Sequence, residues 1–212
     1  MKKFLAVCGA FLTAGMLTVP AYSADSSCYY VSGDVGASWF NSLTPSNSNG
    51  TLSTNAGINV MGAVGIKPSD SYRLEVELGY QRNTADQMTG QTDVTYNGKY
   101  TGNVSVTSVL ANGYYDFNAG SVSPYLTAGI GWASVGVNDI NQEGDPASWA
   151  TSESHSALGY QFGAGVGIPL SKNVDIDVRY RYFRTGNFSM NNNGGDYHVA
   201  SNSVLVGLKL GF

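Results

Sequence analysis

The stretch Tyr72-Arg-Leu-Glu-Val-Glu-Leu-Gly-Tyr-Gln-Arg82 decides the fold. Its even positions through Tyr80 are Tyr72, Leu74, Val76, Leu78 and Tyr80, and its odd positions are Arg73, Glu75, Glu77, Gly79 and Gln81. Faultless period-two alternation of this kind puts every apolar side chain on one face of a β-strand and every polar one on the other. The same pattern returns from Val174 to Phe183, with Val174, Ile176, Val178, Tyr180 and Tyr182 set against Asp175, Asp177, Arg179 and Arg181.

Working outward, six further segments carry it: Tyr29 to Phe40, Ile58 to Lys67, Asn103 to Phe117, Pro124 to Ser134, Leu158 to Leu170, and a last one that sets Val204, Val206, Leu208, Leu210 and Phe212 against Ser203, Gly207 and Lys209. In the fourth in chain order, Val104 and Val106 hold one phase while Val109, Ala111, Tyr115 and Phe117 hold the other. A β-bulge near Ser108 would reconcile the two and is the expectation. Eight segments of about ten residues match tilted strands that cross a bilayer. The connections near 41–56, 83–102, 136–156 and 184–201 are long and polar, while those near 68–71, 118–122 and 171–173 are short. Long loops on one side and short turns on the other are the layout of bacterial outer-membrane barrels, with the short turns periplasmic. The expected fold is therefore all-β, an eight-stranded antiparallel transmembrane β-barrel. A soluble sandwich or lipocalin-like barrel would alternate too, but neither needs an aromatic-rich apolar face or loops segregated by parity.

The flanking sequence fits export. Lys2 and Lys3, an apolar run from Phe4 to Val19 and the small-residue exit at Ala21-Tyr22-Ser23 have the plan of a secretory signal, so residues 1–23 are expected to be removed and 24–212 to form the barrel domain. Cys8 follows Val7 where a lipoprotein signal would want a small residue, and Cys28 alone cannot form an internal disulfide. The whole chain has 11 basic and 15 acidic side chains; without Lys2 and Lys3 the balance is 9 − 15 = −6, which argues against nucleic acid as a partner. Charged residues make up 12% of the chain, about half the usual share, while aromatic residues at 12% argue against disorder.

If the apolar face meets lipid, the other face fills the inside of a barrel this narrow. The expected interior set is Asp34, Glu75, Glu77, Asp175 and Asp177 against Lys67, Arg73, Arg179, Arg181 and Lys209, a neutral balance of five and five. Glycines on the inner face of Leu158 to Leu170 leave room for Arg179 and Arg181 to lie across them. Tyr29, Tyr72 and Phe212 are expected in one aromatic girdle and Trp39, Tyr80 and Tyr182 in the other.

The segments 72–80, Ala111-Asn-Gly-Tyr-Tyr-Asp-Phe117, Pro124-Tyr-Leu-Thr-Ala-Gly-Ile-Gly131, Tyr160-Gln-Phe-Gly-Ala-Gly-Val-Gly167, Arg179-Tyr-Arg-Tyr-Phe183 and the terminal strand ending in Phe212 give the chain a further reading. In these it resembles the small outer-membrane β-barrel family that includes opacity-type surface proteins and the membrane domain of outer-membrane protein A. The resemblance implies an outer-membrane location, and it implies that the aromatic last residue is read by the barrel-assembly machinery. Because the sequence stops at Phe212, a periplasmic peptidoglycan-binding domain such as outer-membrane protein A carries is not expected.

Chemistry is sparse. His155, flanked by Glu153, Ser154 and Ser156, invites a hydrolase reading, but alternate side chains on a strand or loop point apart. His198, like His155, falls in an expected external loop. Asp139, Glu143 and Asp145 are oxygen ligands of the kind calcium accepts, without EF-hand order, and read as a solvated acidic loop. No catalytic residue, cofactor-binding residue, metal ligand or cofactor is assigned. Trp149, Phe188 and Tyr197 are candidates either for contact with a host or surface ligand or for packing the loops together. The expected function is a surface-exposed structural or adhesion-type barrel with a charge-plugged lumen, a small-solute porin being the alternative. The expected partners are outer-membrane lipid, the assembly machinery and a loop-bound surface ligand.

Overall fold

A computed structural model describes residues 29–41, 51–89, 97–117, 120–143, 153–189 and 196–212. The signal-like segment 1–23, Cys8, Cys28, Asp145 and Trp149 lie outside the described residues. Eight strands form the wall: β1 (Tyr29–Phe40), β3 (Gly57–Ser69), β4 (Tyr72–Thr89), β5 (Gly98–Asp116), β6 (Ser123–Gln142), β7 (Glu153–Pro169), β8 (Val174–Thr185) and β11 (Ala200–Gly211). The short β2 (Thr51–Thr54) pairs with the outer end of β4, in line with β3, and β9 (Phe188–Ser189) pairs with β10 (Asp196–Tyr197) in the last long loop. Each wall strand is antiparallel to its neighbours, and the ring closes where β1 meets β11, with Val35 opposite Val206. Closure leaves no sheet edge along the ring, which is what lets strands enter lipid with their amides paired.

The outward face is the apolar one: Val76 is 55% exposed and Val206 52%, while Glu77 on the opposite face of β4 is 1% exposed. This inverts the burial order of a water-soluble protein and requires a hydrocarbon solvent around the wall. Aromatic residues bound that band. At the short-turn end Tyr115 packs edge-on against both Tyr72, at 5.3 Å, and Phe117, at 4.9 Å, with Tyr29 and Phe212 also exposed. At the other end Trp39, Tyr80 and Trp132 are exposed and Tyr182 is half-buried.

The strand with two phases has no bulge at Ser108. From Tyr72 opposite Tyr115 to Thr84 opposite Asn103 the β4–β5 register is unbroken; the shifts lie farther out, between Thr84 and Gln87 and between Thr101 and Asn103. Parity is therefore constant along β5, and Val104, Val106, Ser108, Leu110, Asn112, Tyr114 and Asp116 all point inward. What changes is the solvent. Below Ser108 the outward residues are Val109, Ala111 and Tyr115; above it they are Thr107, Ser105 and Asn103, while Val104 and Val106 become fully buried. The apparent phase slip marks the level at which the strand leaves hydrocarbon for water. Beyond it β5 is like the strand of a water-soluble sheet, polar outside and apolar inside. Strand β6 inverts at the same height, from Ile130 and Trp132 outward to Ala133 and Val135 inward.

Candidate functional site: the lumen and its outer cap

Two clusters of arginine and carboxylate occupy the inner half of the lumen. Arg73 of β4 makes a bidentate pair with Asp116 at the end of β5, its Nε and Nη2 donating at 2.8 Å to one carboxylate oxygen each. Its guanidinium lies over the rings of Tyr114 and Tyr125, at 4.2 and 4.8 Å. Arg179 of β8 reaches across the barrel, donating from Nη1 to Glu77 at 3.0 Å and from Nη2 to Asp34 at 3.1 Å. The Tyr114 hydroxyl joins the clusters, accepting from Arg179 at 2.8 Å and donating to Glu75 at 2.6 Å. A third tier follows. Gln161 donates to Glu77 and Asn112, accepts from Arg181 Nε, and thereby places the Arg181 guanidinium 4.6 Å from the Phe183 ring centre.

The five-and-five balance does not hold. The buried ionisable residues are Asp34, Glu75, Glu77, Asp116 and Asp177 against Arg73, Arg179 and Arg181, a formal 3 − 5 = −2. Asp116 joins because β5 keeps one parity. Lys67 is only half-buried, and Lys209 pairs with Asp175 at 2.8 Å at the partly solvated inner mouth. The excess of carboxylates is met by neutral donors: Tyr30 and Tyr114 both donate to Glu75, and Tyr125 donates to Asp177 at 2.6 Å. A phenol hydrogen bond satisfies a carboxylate oxygen without bringing in a second ion that would itself have to be desolvated.

Glycines create the space, though not entirely as expected. Gly163 lies beside the Arg179 stem, but a Cβ there would first meet the Tyr180 carbonyl and the Thr127 methyl; the space over Gly165 is filled by the Tyr125 ring and that over Gly159 by Phe183. The void left among Asp34, Arg73, Glu75, Tyr125, Asp177 and Arg179 measures about 10 Å³, room for no more than one water.

An apolar cap lies above these tiers. Val104, Val106, Leu110, Ala133, Val135 and Phe183 pack with Phe188 and Val199 from the two arms of the last loop, and Phe40, Ala157 and Tyr197 close around them. Phe188 stacks between His155, at 5.6 Å, and Tyr197, at 6.5 Å. Thr185 anchors the returning arm, its hydroxyl accepting from the Val199 amide at 2.9 Å. Of the two roles open to Phe188 and Tyr197, the packing role is the one their positions fill.

Among the described residues, the remaining candidates do not assemble into a reactive site. His155 Nε2 is 3.3 Å from Glu153, but Ser154 and Ser156 are exposed on the opposite face of β7. His198 precedes β11, where burial first and nearby Arg184 second lower its pKa. Asp139 has left-handed backbone at φ 49°, and among the described residues no three His, Cys, Asp or Glu side chains converge on a metal-sized site. The buried tyrosines were the part of the interior that alternation did not single out, apart from Tyr125, which falls on the polar face of its segment.

An antiparallel ring of eight strands with a lipid-compatible outside and an ion-paired inside defines a transmembrane β-barrel of the bacterial outer membrane. The chain belongs to the outer membrane protein beta-barrel domain family, whose sequence profile matches residues 9–212. It is similar to outer membrane protein PagN of Salmonella typhimurium, with 30% identity over 251 aligned positions that cover 100% of both chains. In fold it is similar to Neisserial surface protein A, at a TM-score of 0.59 and 21% identity over 88% of this chain and 98% of that one. It is also similar to OprG from Pseudomonas aeruginosa, at 0.57 and 10% identity over 89% and 98%.

Proposed function

We propose that the protein is a closed outer-membrane anchor that displays its long loops at the cell surface as a structural or adhesion-type protein. The observation that carries this reading is the transverse Asp34–Arg179–Glu77 bridge, which spans the lumen from β1 to β8 to β4 beneath an apolar cap. A solute would have to break both barriers, and the ion pairs are costly to part in a medium of low dielectric. The long loops then remain the part of the chain free to meet a surface ligand, carried on a rigid wall. Residues 1–23 direct export, and the strand ending in Phe212 presents the signal for assembly into lipid. The chain has no catalytic role in this reading.

Liposome swelling with a small sugar tests closure: vesicles carrying the folded barrel should swell no faster than empty ones. Replacing each long loop by a short Gly-containing turn, then measuring attachment of cells that display the variant, tests the display role. Attachment unchanged by every replacement would refute it.

A further inference from the structure

We infer that a groove in the lipid-facing wall, at the short-turn end, is a binding site for one phospholipid of the periplasmic leaflet, with an acyl chain along the groove and the phosphate at its inner rim. The groove crosses β3, β4 and β5, encloses about 630 Å³, and is walled by Val64, Ile66, Leu74, Val76, Ala111 and Gly113. Sites for small molecules typically enclose ~300–1,000 Å³ and are lined mostly by apolar groups. The register explains the depression. Leu74 lies opposite Gly113 and Val76 opposite Ala111, so each branched side chain of β4 faces a missing or minimal one on β5. Beyond β5, Gly113 is opposite Ala128 and Ala111 is opposite Ile130, whose side chain raises the far bank. A Cβ built on Gly113 meets nothing within 4 Å, so the floor at that point is bare backbone.

The second observation is the chemistry of the inner rim. Tyr29 lines the mouth of the groove, and Tyr72 is the outward residue next below Leu74 on β4. Both are more than half exposed, and neither hydroxyl has a hydrogen-bond partner among the described residues. Lys67 follows Ile66 at the inner end of β3, half-buried, and pairs with no described carboxylate within 4 Å, Asp70 of the same turn included. Two phenol donors and an ammonium at the level of an aromatic girdle suit a phosphate that stays at the membrane interface while its acyl chain enters the groove. The short turns face the periplasm, so the leaflet that reaches this rim is the inner one. A second barrel would need a broad contact, roughly 800 Å² on each partner, whereas a groove three strands wide takes a single chain.

The test is native mass spectrometry of the full mature chain, folded in detergent and released from micelles that contain phosphatidylglycerol, phosphatidylethanolamine, diacylglycerol of the same chains, or lipid A. The expected spectrum has one phospholipid retained per barrel with either phospholipid. Diacylglycerol should be retained about tenfold less, since it lacks the charged hydrogen-bond acceptor, and lipid A no better than diacylglycerol. Gly113→Leu should remove the retained phospholipid by filling the groove, while Val206→Leu, outward on β11 and away from it, should keep it. Lys67→Gln should lower phospholipid retention toward that of diacylglycerol. Because the wild-type comparison among the four lipids stands on its own, a variant that loses heat-modifiable gel mobility does not remove the test. A graded series of zero, one, two and more lipids that is alike for all four, lipid A held as tightly as phospholipid, a barrel dimer in place of the lipid adduct, or a folded Gly113→Leu that retains phospholipid as wild type does would overturn the inference.

Discussion

Replacing Arg179 by methionine removes one cation and leaves two carboxylates stranded. Arg179 is 3% exposed and is the only ion-pair partner within 4 Å, among the described residues, of both Asp34 and Glu77, which are 8% and 1% exposed. Methionine fills much of the same volume, so the change isolates the lost charge and its hydrogen bonds from a cavity effect. Removing one member of a buried pair typically costs about 3–5 kcal/mol. Here one arginine serves two acids, so the upper part of that range is expected. The assay is reversible urea unfolding of the barrel in lipid vesicles, followed by tryptophan fluorescence. Glu77→Gln in the Arg179→Met background should recover part of the loss, since it removes one stranded charge, with a coupling of about 1–3 kcal/mol. Arg179→Lys should lie between wild type and methionine, because an ammonium keeps the charge without the fork that reaches Asp34 and Glu77 from separate nitrogens. A loss below about 1 kcal/mol for Arg179→Met, or additive effects of the two substitutions, would refute the view that this bridge stabilises the lumen.

The inversion on β5 predicts an ordered series: Thr107→Asp is tolerated, while Val106→Asp is strongly destabilising because it buries an unpaired charge in the cap, and Val109→Asp impairs insertion because it faces lipid; folded yield on a gel separates them. A Cβ at Gly207 would strike the Asp34 carboxylate and the Gly33 carbonyl, so Gly207→Ala should lower stability by about 1–3 kcal/mol in the same urea assay. Phe188→Ala should leave the barrel heat-modifiable but make the 186–199 segment sensitive to protease, since its two arms are held largely by the cap; unchanged resistance would show that the cap does not depend on that ring.

Alternation made the ring legible because, within the hydrocarbon span, each face of a crossing strand meets one kind of environment. It read β4 and β8 correctly for that reason. It misread β5 where a single strand passes from lipid to water, since the rule that apolar means outward reverses there while the backbone continues unchanged. The same reversal hid how far β5, β6 and β7 project, to Gly98, Gln142 and Glu153, beyond the expected spans. The arginines and glutamates of the lumen could be placed by parity alone, but their partners could not. Arg179 crosses to β1 and β4, contacts that depend on barrel shear rather than on sequence spacing. Tyrosine was ambiguous for a chemical reason. Its ring belongs with the girdle residues and its hydroxyl with the interior donors, so Tyr72 and Tyr114 carry the same residue type on opposite faces of the wall.

Single-channel recording on the folded chain in a planar bilayer shows whether the lumen is closed. A closed lumen gives a silent baseline for the wild type and for Phe188→Ala, because the Asp34–Arg179–Glu77 bridge lies below the cap, with openings arising only when Phe188→Ala and Arg179→Met are combined. Stable, reproducible steps from the wild-type barrel would contradict it and would make Arg73, Glu75, Arg179 and Arg181 the lining of a pore.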